Sequence, residues 1–478
     1  MFYQCGTFDW RRFILDLMKI YDAIIIGSGQ GGTPLAKKLA KAGWKTALIE
    51  KNYVGGTCVN VGCTPTKTMI ASAKAIHTIR RAEKWGLKAE LKEIDIDAII
   101  QRKSDVVDLF RDSAQDGLEG TDNLDLIWGQ ASFKEGNVIE TKLNSGGTSL
   151  IKASKIFIST GTSPNIPRIQ GLEESGYLTS TTLMNLREIP KHLLIIGGGY
   201  IALEFGQMYR RFGSEVTILN LGDRILDNED IDVSNEVKKL LELEGIRIIC
   251  NADTKAVECE GKESQVWFNV GHEERSISCS HVLVAAGRIP NSANLNLPSA
   301  GVKTDDQGYI IVNEYLETSA EGIYAIGDIK GGPEFTHVAY NDHLILLQNL
   351  LNGKKLTTDR LVPYCMFIDP QLGRVGLTEA EARAKGLNIK VACMPMSRVA
   401  RAIETGDERG LMKAVVDADT KQILGAAILG EEGGEVMSVL QMAMLGKIDY
   451  SAIQNMMFAH PLYSESLNNL FMEFDGKR

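Results

Sequence analysis

Apolar residues in this chain come in short runs that stop at glycine. Ala23-Ile24-Ile25-Ile26 is rich in β-branched residues, is followed by Gly27, and predicts a buried strand. After Gly27-Ser28-Gly29-Gln30-Gly31-Gly32 the pattern turns Ala- and Lys-rich and predicts a helix through Ala42; Ala47-Leu48-Ile49-Glu50 is the next strand. The same order returns at Leu193-Leu194-Ile195-Ile196. Gly197-Gly198-Gly199 follows, then a helix that carries Glu204 and ends near Gly213, then the strand Val216-Thr217-Ile218-Leu219-Asn220. Between the two, long patterns predict helices from Met69 to about Lys84 and from about Asp95 to Leu118, and Ile156-Phe157-Ile158 runs into the turn Ser159-Thr160-Gly161. His281 to Ala286, ending at Gly287, and Gly322 to Ile326, ending at Gly327-Asp328, read as two more strands, and Asn341 to Leu351 as an apolar helix. From about Lys355 the texture changes. Leu411–Val416 and Ile423–Leu429 read as strands and Glu435–Leu445 as a Met-rich helix, which suggests a mixed antiparallel sheet with helices.

Composition narrows the classes. With 478 residues, 44% of them hydrophobic, the chain has material for roughly three domains. A formal net charge of -9 argues against nucleic acid as a partner, because phosphate binding needs a basic face. No window approaches the ~20 consecutive apolar residues of a membrane helix, so no membrane partner is expected. Eight cysteines in a chain of this length do not form a disulfide scaffold, and a cytoplasmic, reducing setting fits them best. Residues 1–17 carry a short apolar patch with basic neighbours but no cleavage signal, and read as a poorly ordered upstream extension before Met18-Lys19-Ile20-Tyr21-Asp22.

The two strand–glycine–helix turns point to dinucleotides. Gly27, Gly29 and Gly32 form G-x-G-x-x-G, with Glu50 about twenty residues on at a strand end, where it would accept hydrogen bonds from a ribose. Glycines there permit a tight turn and let a pyrophosphate reach the helix N-terminus. Gly197, Gly199 and Ala202 form the variant G-x-G-x-x-A, and the acid's position is taken by Asn220, with Arg224 four residues on. An acid would repel a 2′-phosphate; Asn220 would not, and Arg224 could pair with one, which favours NADPH over NADH. As a plain surface residue, Arg224 would be a solvated charge.

The stretch Gly55-Gly56-Thr57-Cys58-Val59-Asn60-Val61-Gly62-Cys63-Thr64-Pro65-Thr66-Lys67 carries the chemistry. Zinc would want a C-x-x-C pair with a second such pair, and none exists, so no metal site is expected. In a regular helix, residues five apart have Cα atoms roughly 8.7 Å apart, whereas a disulfide needs less than about 7 Å. If the bond forms, residues 58–63 cannot be regular helix. Pro65 suits a first helical turn, with Thr64 as N-cap. Cys63 then lies beside a helix N-terminus that favours a thiolate, and Cys58 lies further out in the loop. The asymmetry suggests that Cys63 holds the stabilised thiolate and Cys58 attacks the substrate.

With these motifs in hand, the chain after residue 18 resembles the class I pyridine nucleotide-disulfide oxidoreductases, a family that includes glutathione reductase, dihydrolipoamide dehydrogenase and mercuric reductase. The most specific motif, Gly-Gly-Thr-Cys-x-Asn-x-Gly-Cys-x-Pro-x-Lys, is matched by residues 55–67. The resemblance implies an α/β fold with two Rossmann-like dinucleotide-binding domains and a C-terminal α+β dimerisation domain. Its borders would be 1–18 for the extension, 19–160 and 289–350 for the FAD-binding parts, 161–288 for the NAD(P)-binding domain and 351–478 for dimerisation. FAD would be held by Gly27, Gly29, Gly32, Glu50, Gly56, Thr57, Thr160, Gly161, Gly327 and Asp328. NAD(P)H would be held by Gly197, Gly199, Tyr200, Ala202, Asn220, Arg224 and Gly287, with Tyr200 covering the nicotinamide. Lys67 and Glu204 match an ion pair beside the flavin. His460 and Glu465 match an acid–base pair that reaches the dithiol from the other subunit of a homodimer. The implied reaction passes a hydride from NAD(P)H through FAD to the Cys58–Cys63 disulfide, and from the dithiol to a small disulfide or thiol-bound substrate.

The substrate is open at this level. Dihydrolipoamide dehydrogenases usually carry an acid where Asn220 stands. Mercuric reductases usually end with a cysteine pair, whereas Phe471-Met472-Glu473-Phe474-Asp475-Gly476-Lys477-Arg478 has none. Both stay as alternatives. A reading of another class is a nucleotide-binding flavoprotein that serves in redox sensing or interaction.

Overall fold

The computed structural model describes residues 18–261 and 263–476, so the expected extension over 1–17 lies outside the described residues. The chain divides into two compact, discontinuous units. The first takes residues 18–64, 106–163 and 288–360; the second takes 65–105, 164–287 and 361–476.

In the first unit the strand Lys19–Ile26 lies at the centre of a parallel sheet. Its neighbours are Thr46–Glu50 on one side and the C-terminal half of Thr148–Ile158 on the other, with Leu124–Glu135 and Ile323–Ala325 beyond them. Ala23, Ile24, Ile25 and Ile26 are all buried, because both faces of the sheet are covered. Side-chain alternation splits them between two cores. Ile24 and Ile26 join Ala47, Ile49, Phe133 and Ile139; Ala23 and Ile25 join Leu48, and Leu35 and Leu39 of the helix Gly32–Lys41. The second half of Leu124–Glu135, Val138–Leu143 and the first half of Thr148–Ile158 continue as an antiparallel meander. The helix Thr336–Asn352 starts five residues before the expected Asn341.

The second unit repeats the strand–glycine–helix design. A parallel sheet runs in the order His281–Val284, His192–Ile196, Glu215–Leu219, Arg247–Ile249. A three-stranded antiparallel sheet spans Ala252–Glu260, Glu263–Val270 and Glu273–Cys279, which the sequence pattern did not single out. The expected mixed C-terminal region is an antiparallel sheet built from Tyr364–Met366, Gln371–Gly376, Ile423–Gly430, Leu411–Asp417 and Ile389–Pro395. The Met-rich helix Gly433–Leu445 buries Val436, Met437 and Leu440 in its core, a packing role. Met69, Ala73 and Ile76, spaced four and three along the helix Cys63–Arg80, share a core with Leu203 and Phe205 of the helix Tyr200–Phe212. That stripe ties residues from 65 onward to the second unit.

Candidate active site

The first glycine turn is shaped by close backbone approach. Gly27 has φ +100°, and a Cβ on it would sit 2.4 Å from the Ser159 carbonyl oxygen. A Cβ on Gly32 would lie 2.1 Å from the Gly27 oxygen. Gly29 is less crowded on the strand side, with Ser159 atoms no nearer than 3.9 Å, but Gly56 crosses it: a Cβ on Gly56 would lie 2.7 Å from the Gly29 Cα. Two hydrogen bonds stitch this crossing, from Gly55 N to Ser28 O at 3.1 Å and from Gln30 Nε2 to Gly55 O at 3.2 Å. The cysteine stretch is thus laid directly on the first fingerprint. Glu50 is buried at the end of its strand and accepts from Ser28 N, Ser28 Oγ and Asn52 N at 2.9, 2.6 and 2.9 Å.

Two further turns of the same unit carry expected residues. Thr160 Oγ1 is buried with no hydrogen-bond partner, and a Cβ on Gly161 would meet open space. Asn291 holds this turn, donating from Nδ2 to Thr160 O and from its backbone N to Gly161 O. Gly327 N donates to the buried Asp342 at 2.8 Å. Asp328 accepts from Thr162 Oγ1 at 3.4 Å, and burial holds its carboxyl above the usual range against the nearby Arg288. An orphaned buried hydroxyl and bare glycine surfaces beside a fingerprint fit a dinucleotide such as FAD.

The cysteine geometry needs one correction. Cys58 does not sit in a loop: it is the third residue of a short helix, Gly56–Val61. Gly62, at φ -128° and ψ -115°, breaks that helix, and the next one begins at Cys63, so Thr64 is not its N-cap. The expectation that 58–63 is not one regular helix holds, because the break falls between the two sulfurs. Thr57 is exposed, Cys58 half-buried and Cys63 exposed. Thr336 Oγ1 lies 3.4 Å from Cys63 Sγ. This contact was missed in the sequence, and 273 positions of separation leave no local signal for it.

The second unit holds three groups. Gly197 has φ +120°, and its Cβ would sit 2.3 Å from Ala285 O, whereas Cβ atoms on Gly199 and Gly287 would meet nothing within 4 Å. Gly199 precedes Tyr200, the first residue of its helix, and Ala202 is fully buried. The Asn220 side chain packs on Gly198 and donates to Gly222 O and Arg224 O at 3.0 and 2.8 Å. Arg224 turns toward its own loop, donating to Asp227 O at 2.6 Å, while its buried Nε has no partner.

The second group is the ion pair. Lys67 Nζ lies 2.7 Å from Glu204 Oε2, and Glu204 Oε1 accepts from Phe367 N at 2.8 Å. Glu204 is 3% exposed, so its charge needs both donors; removing one partner of such a buried pair typically costs about 3–5 kcal/mol. The third group is His460 with Glu465, whose carboxylate oxygens lie 3.1 and 3.0 Å from Nδ1. This carboxylate orients the ring, and His460 is 67% exposed, within reach from outside the chain. The cysteines belong to the first unit and this pair to the second. Among the described residues no cluster of His, Cys, Asp and Glu is placed to hold a metal ion, and no helix is long and apolar enough to cross a membrane.

Two dinucleotide turns, a dithiol segment on one of them and a histidine–carboxylate pair define a class of flavin- and pyridine-nucleotide-dependent oxidoreductases. The chain belongs to the pyridine nucleotide-disulphide oxidoreductase family: that family's model matches residues 21–342, and its dimerisation domain matches residues 362–471. The chain is 39% identical over 459 residues to the probable pyridine nucleotide-disulfide oxidoreductase RclA of Escherichia coli, covering 95% of this chain and 99% of the relative. It is 36% identical to a mercuric reductase of Lysinibacillus sphaericus, covering 99% and 87%, and 37% identical to a dihydrolipoyl dehydrogenase of Thermus scotoductus, covering 94% and 96%. A solved copper(II) complex of the HOCl-induced flavoprotein disulfide reductase RclA from Escherichia coli superimposes with a TM-score of 0.87 at 38% identity, over 95% of this chain and all of that one. The protein is an oxidoreductase acting on sulfur groups, with FAD as cofactor and NAD(P) as cosubstrate, and its C-terminal domain is a homodimerisation domain.

Proposed function

We propose that the protein reduces a small disulfide or a related thiol-bound substrate through the Cys58–Cys63 pair, with NADPH as the favoured electron source. The observation that carries this reading is the seating of Gly56 on Gly29, which puts the dithiol segment on the first dinucleotide turn. FAD held there would supply two-electron transfer from the nicotinamide to the disulfide.

The chain's own residues do the rest. Gly27, Gly29, Gly32, Glu50, Gly56, Thr57, Thr160, Gly161, Gly327 and Asp328 bind FAD. Gly197, Gly199, Tyr200, Ala202, Asn220, Arg224 and Gly287 bind the nicotinamide nucleotide. Cys63 opens an 18-residue helix, whose free N–H groups stabilise negative charge at Sγ, and the Thr336 hydroxyl adds a donor. Cys58 thiolate attacks one sulfur of the substrate disulfide. A mixed disulfide forms, and the departing thiolate takes a proton from His460 of the partner subunit. Cys63 thiolate then attacks Cys58 Sγ, the second substrate sulfur leaves as a thiolate that takes its proton from solvent, and the Cys58–Cys63 bond is restored as the substrate is reduced. Lys67 places an ammonium beside the flavin, held by Glu204. For the nucleotide, the uncharged Asn220 in the acid's place, with Arg224 four residues on, supports a 2′-phosphate contact.

Cys58→Ser is the test. It is expected to keep FAD and lose at least about 1,000-fold in disulfide turnover, as removal of a covalent nucleophile does; full turnover would end the assignment. Oxidised glutathione, lipoamide, Hg(II) and Cu(II), each with NADPH and NADH, give the substrate and nucleotide panel, the metals being suggested by the mercuric reductase relatives and the copper complex.

A further inference from the structure

Two helices of the second unit grip one four-residue stretch. Between the strands Tyr364–Met366 and Gln371–Gly376 the chain passes through Phe367, Ile368 and Asp369. On the helix Tyr200–Phe212, Glu204, Gln207 and Arg211 stand three and four residues apart and share a face. Each bonds this stretch. Glu204 accepts from Phe367 N at 2.8 Å. Gln207 exchanges two bonds with Asp369, donating from Nε2 to its carbonyl and accepting from its N–H, both at 2.8 Å. Arg211 donates from Nη1 to Asp369 Oδ2 at 2.7 Å and from Nη2 to Asp369 O at 3.2 Å. On the helix Cys63–Arg80, Lys67 and Lys74 stand seven apart, again on one face. Lys67 Nζ lies 4.8 Å from the centre of the Phe367 ring, and Lys74 Nζ lies 3.2 Å from Asp369 Oδ1.

The stretch is therefore held at both ends from both helices. At the Phe367 end the holders are Lys67 and Glu204 themselves. At the Asp369 end they are Lys74, Gln207 and Arg211. Gln207 and Arg211 are both 3% exposed, and Glu244 backs them, accepting from Gln207 Nε2 at 3.0 Å and bidentately from Arg211. An amide that satisfies both a backbone N–H and a backbone C=O of one residue leaves that residue a single position. Phe367, two residues away, then has its N–H fixed as the second donor to Glu204, and its ring fixed beneath the Lys67 ammonium.

We propose that Gln207 is a positioning residue for the Lys67–Glu204 pair, acting through the Phe367–Asp369 stretch. The proposal rests on the reading that Lys67 serves the flavin. With the clasp broken, the Phe367 N–H drifts from Glu204, the carboxylate follows, and the ammonium loses its set place. Arg211 and Asp369 belong to the same clasp, but they also carry charge into the wider Glu244–Arg409 network. Gln207 is the cleaner probe because its removal changes no charge.

The experiment uses the holoenzyme and compares Gln207→Leu with Lys67→Met and wild type. The readouts are the two-electron midpoint potential of the bound flavin, kcat and KM for NADPH, and amide exchange at Phe367 and Asp369. Lys67→Met is expected to lower the potential, since the lost positive charge no longer favours reduced, anionic flavin. Gln207→Leu is expected to lower it in the same direction by a smaller amount. It should also cut kcat about tenfold with KM unchanged, as a small misplacement of a functional group does, and speed exchange of both amides. If Lys67→Met lowers the potential and Gln207→Leu leaves it at the wild-type value, Gln207 is packing only and the proposal is overturned. If Lys67→Met leaves the potential unchanged, the reading of Lys67 fails first and takes the proposal with it. Should Gln207→Leu fail to retain flavin, Gln207→Asn, which changes no charge and draws the amide back from Asp369, is measured in its place with the same outcomes.

Discussion

In the first glycine turn Gly29 lies beneath Gly56; in the second, a Cβ on Gly199 would meet nothing among the described residues within 4 Å. The local rule is the same in both. A parallel strand ends, a glycine at φ +100° or +120° presses on the carbonyl of a neighbouring strand's end, and a helix begins. What differs is the roof. The first turn is covered by the segment that carries Cys58, and its acid, Glu50, is buried under three donors. The second is bare, and the corresponding Asn220 is tied to the carbonyls of its own loop. A covered cradle suits a group that stays and meets the dithiol, and an open one suits a group that must enter and leave at each turnover. On the proposed assignment, twin motifs in one chain would serve a resident cofactor and an exchanging cosubstrate because of what packs on them.

The largest effect that tests this contrast is expected at Gly27. Gly27→Val puts a branched side chain at φ +100° and its Cβ against Ser159 O, so the purified protein should lack flavin absorbance or fail to fold. Gly197→Val makes the same error in the second turn, against Ala285 O. It should retain FAD, be reduced normally by dithionite, and lose at least about 100-fold in the rate of reduction by NADPH. Equal flavin loss in both variants would break the comparison.

A second contrast lies between buried acids. Glu50 has three donors, whereas Glu229, 4% exposed, meets the Arg374 guanidinium at 3.7 Å, beyond hydrogen-bond distance, and burial pushes its carboxyl up to about 7 against that charge. A carboxyl whose folded value is raised holds its proton more tightly in the native state. Its contribution to stability is therefore complete below the ordinary carboxyl range and is lost as pH rises through about 7. Wild type should lose about 3 kcal/mol from this group between pH 4 and pH 8. Denaturant unfolding of Glu229→Gln should show that slope flattened; an unchanged slope would remove Glu229 from the account. The smallest effect is at the nucleotide's far end. Arg224→Ala should raise KM for NADPH about tenfold, the size of one charge-assisted contact, and leave KM for NADH and flavin content unchanged. A parallel rise for both nucleotides would make Arg224 a loop brace.

Much of the site was legible because it is local. Glycine spacing, the acid or amide at the end of the second strand and the C-x-x-x-x-C interval each report a geometry that one or two turns of chain impose, whereas the His460–Glu465 pair came through resemblance. The Lys67–Glu204 pairing came through resemblance, and the ion pair is present at 2.7 Å. What stayed hidden depends on partners far along the chain. The helix that holds Cys58 is a local exception: Thr64-Pro65 suggests a break there, whereas the break falls at Gly62 and a short helix forms before it. Thr336 beside Cys63, and Phe367 and Asp369 between two helices, carry no motif of their own.

The sequence by itself determined the two dinucleotide turns, the dithiol and the α/β class, because backbone sterics, side-chain periodicity and helix starts are settled within a few residues. Only the tertiary structure decided which turn is covered, which buried carboxylates find donors and which stretch holds Glu204. Those outcomes depend on segments from about twenty to more than a hundred and sixty positions apart being packed together, and a hydrogen bond between separate elements leaves no period in the chain that makes it.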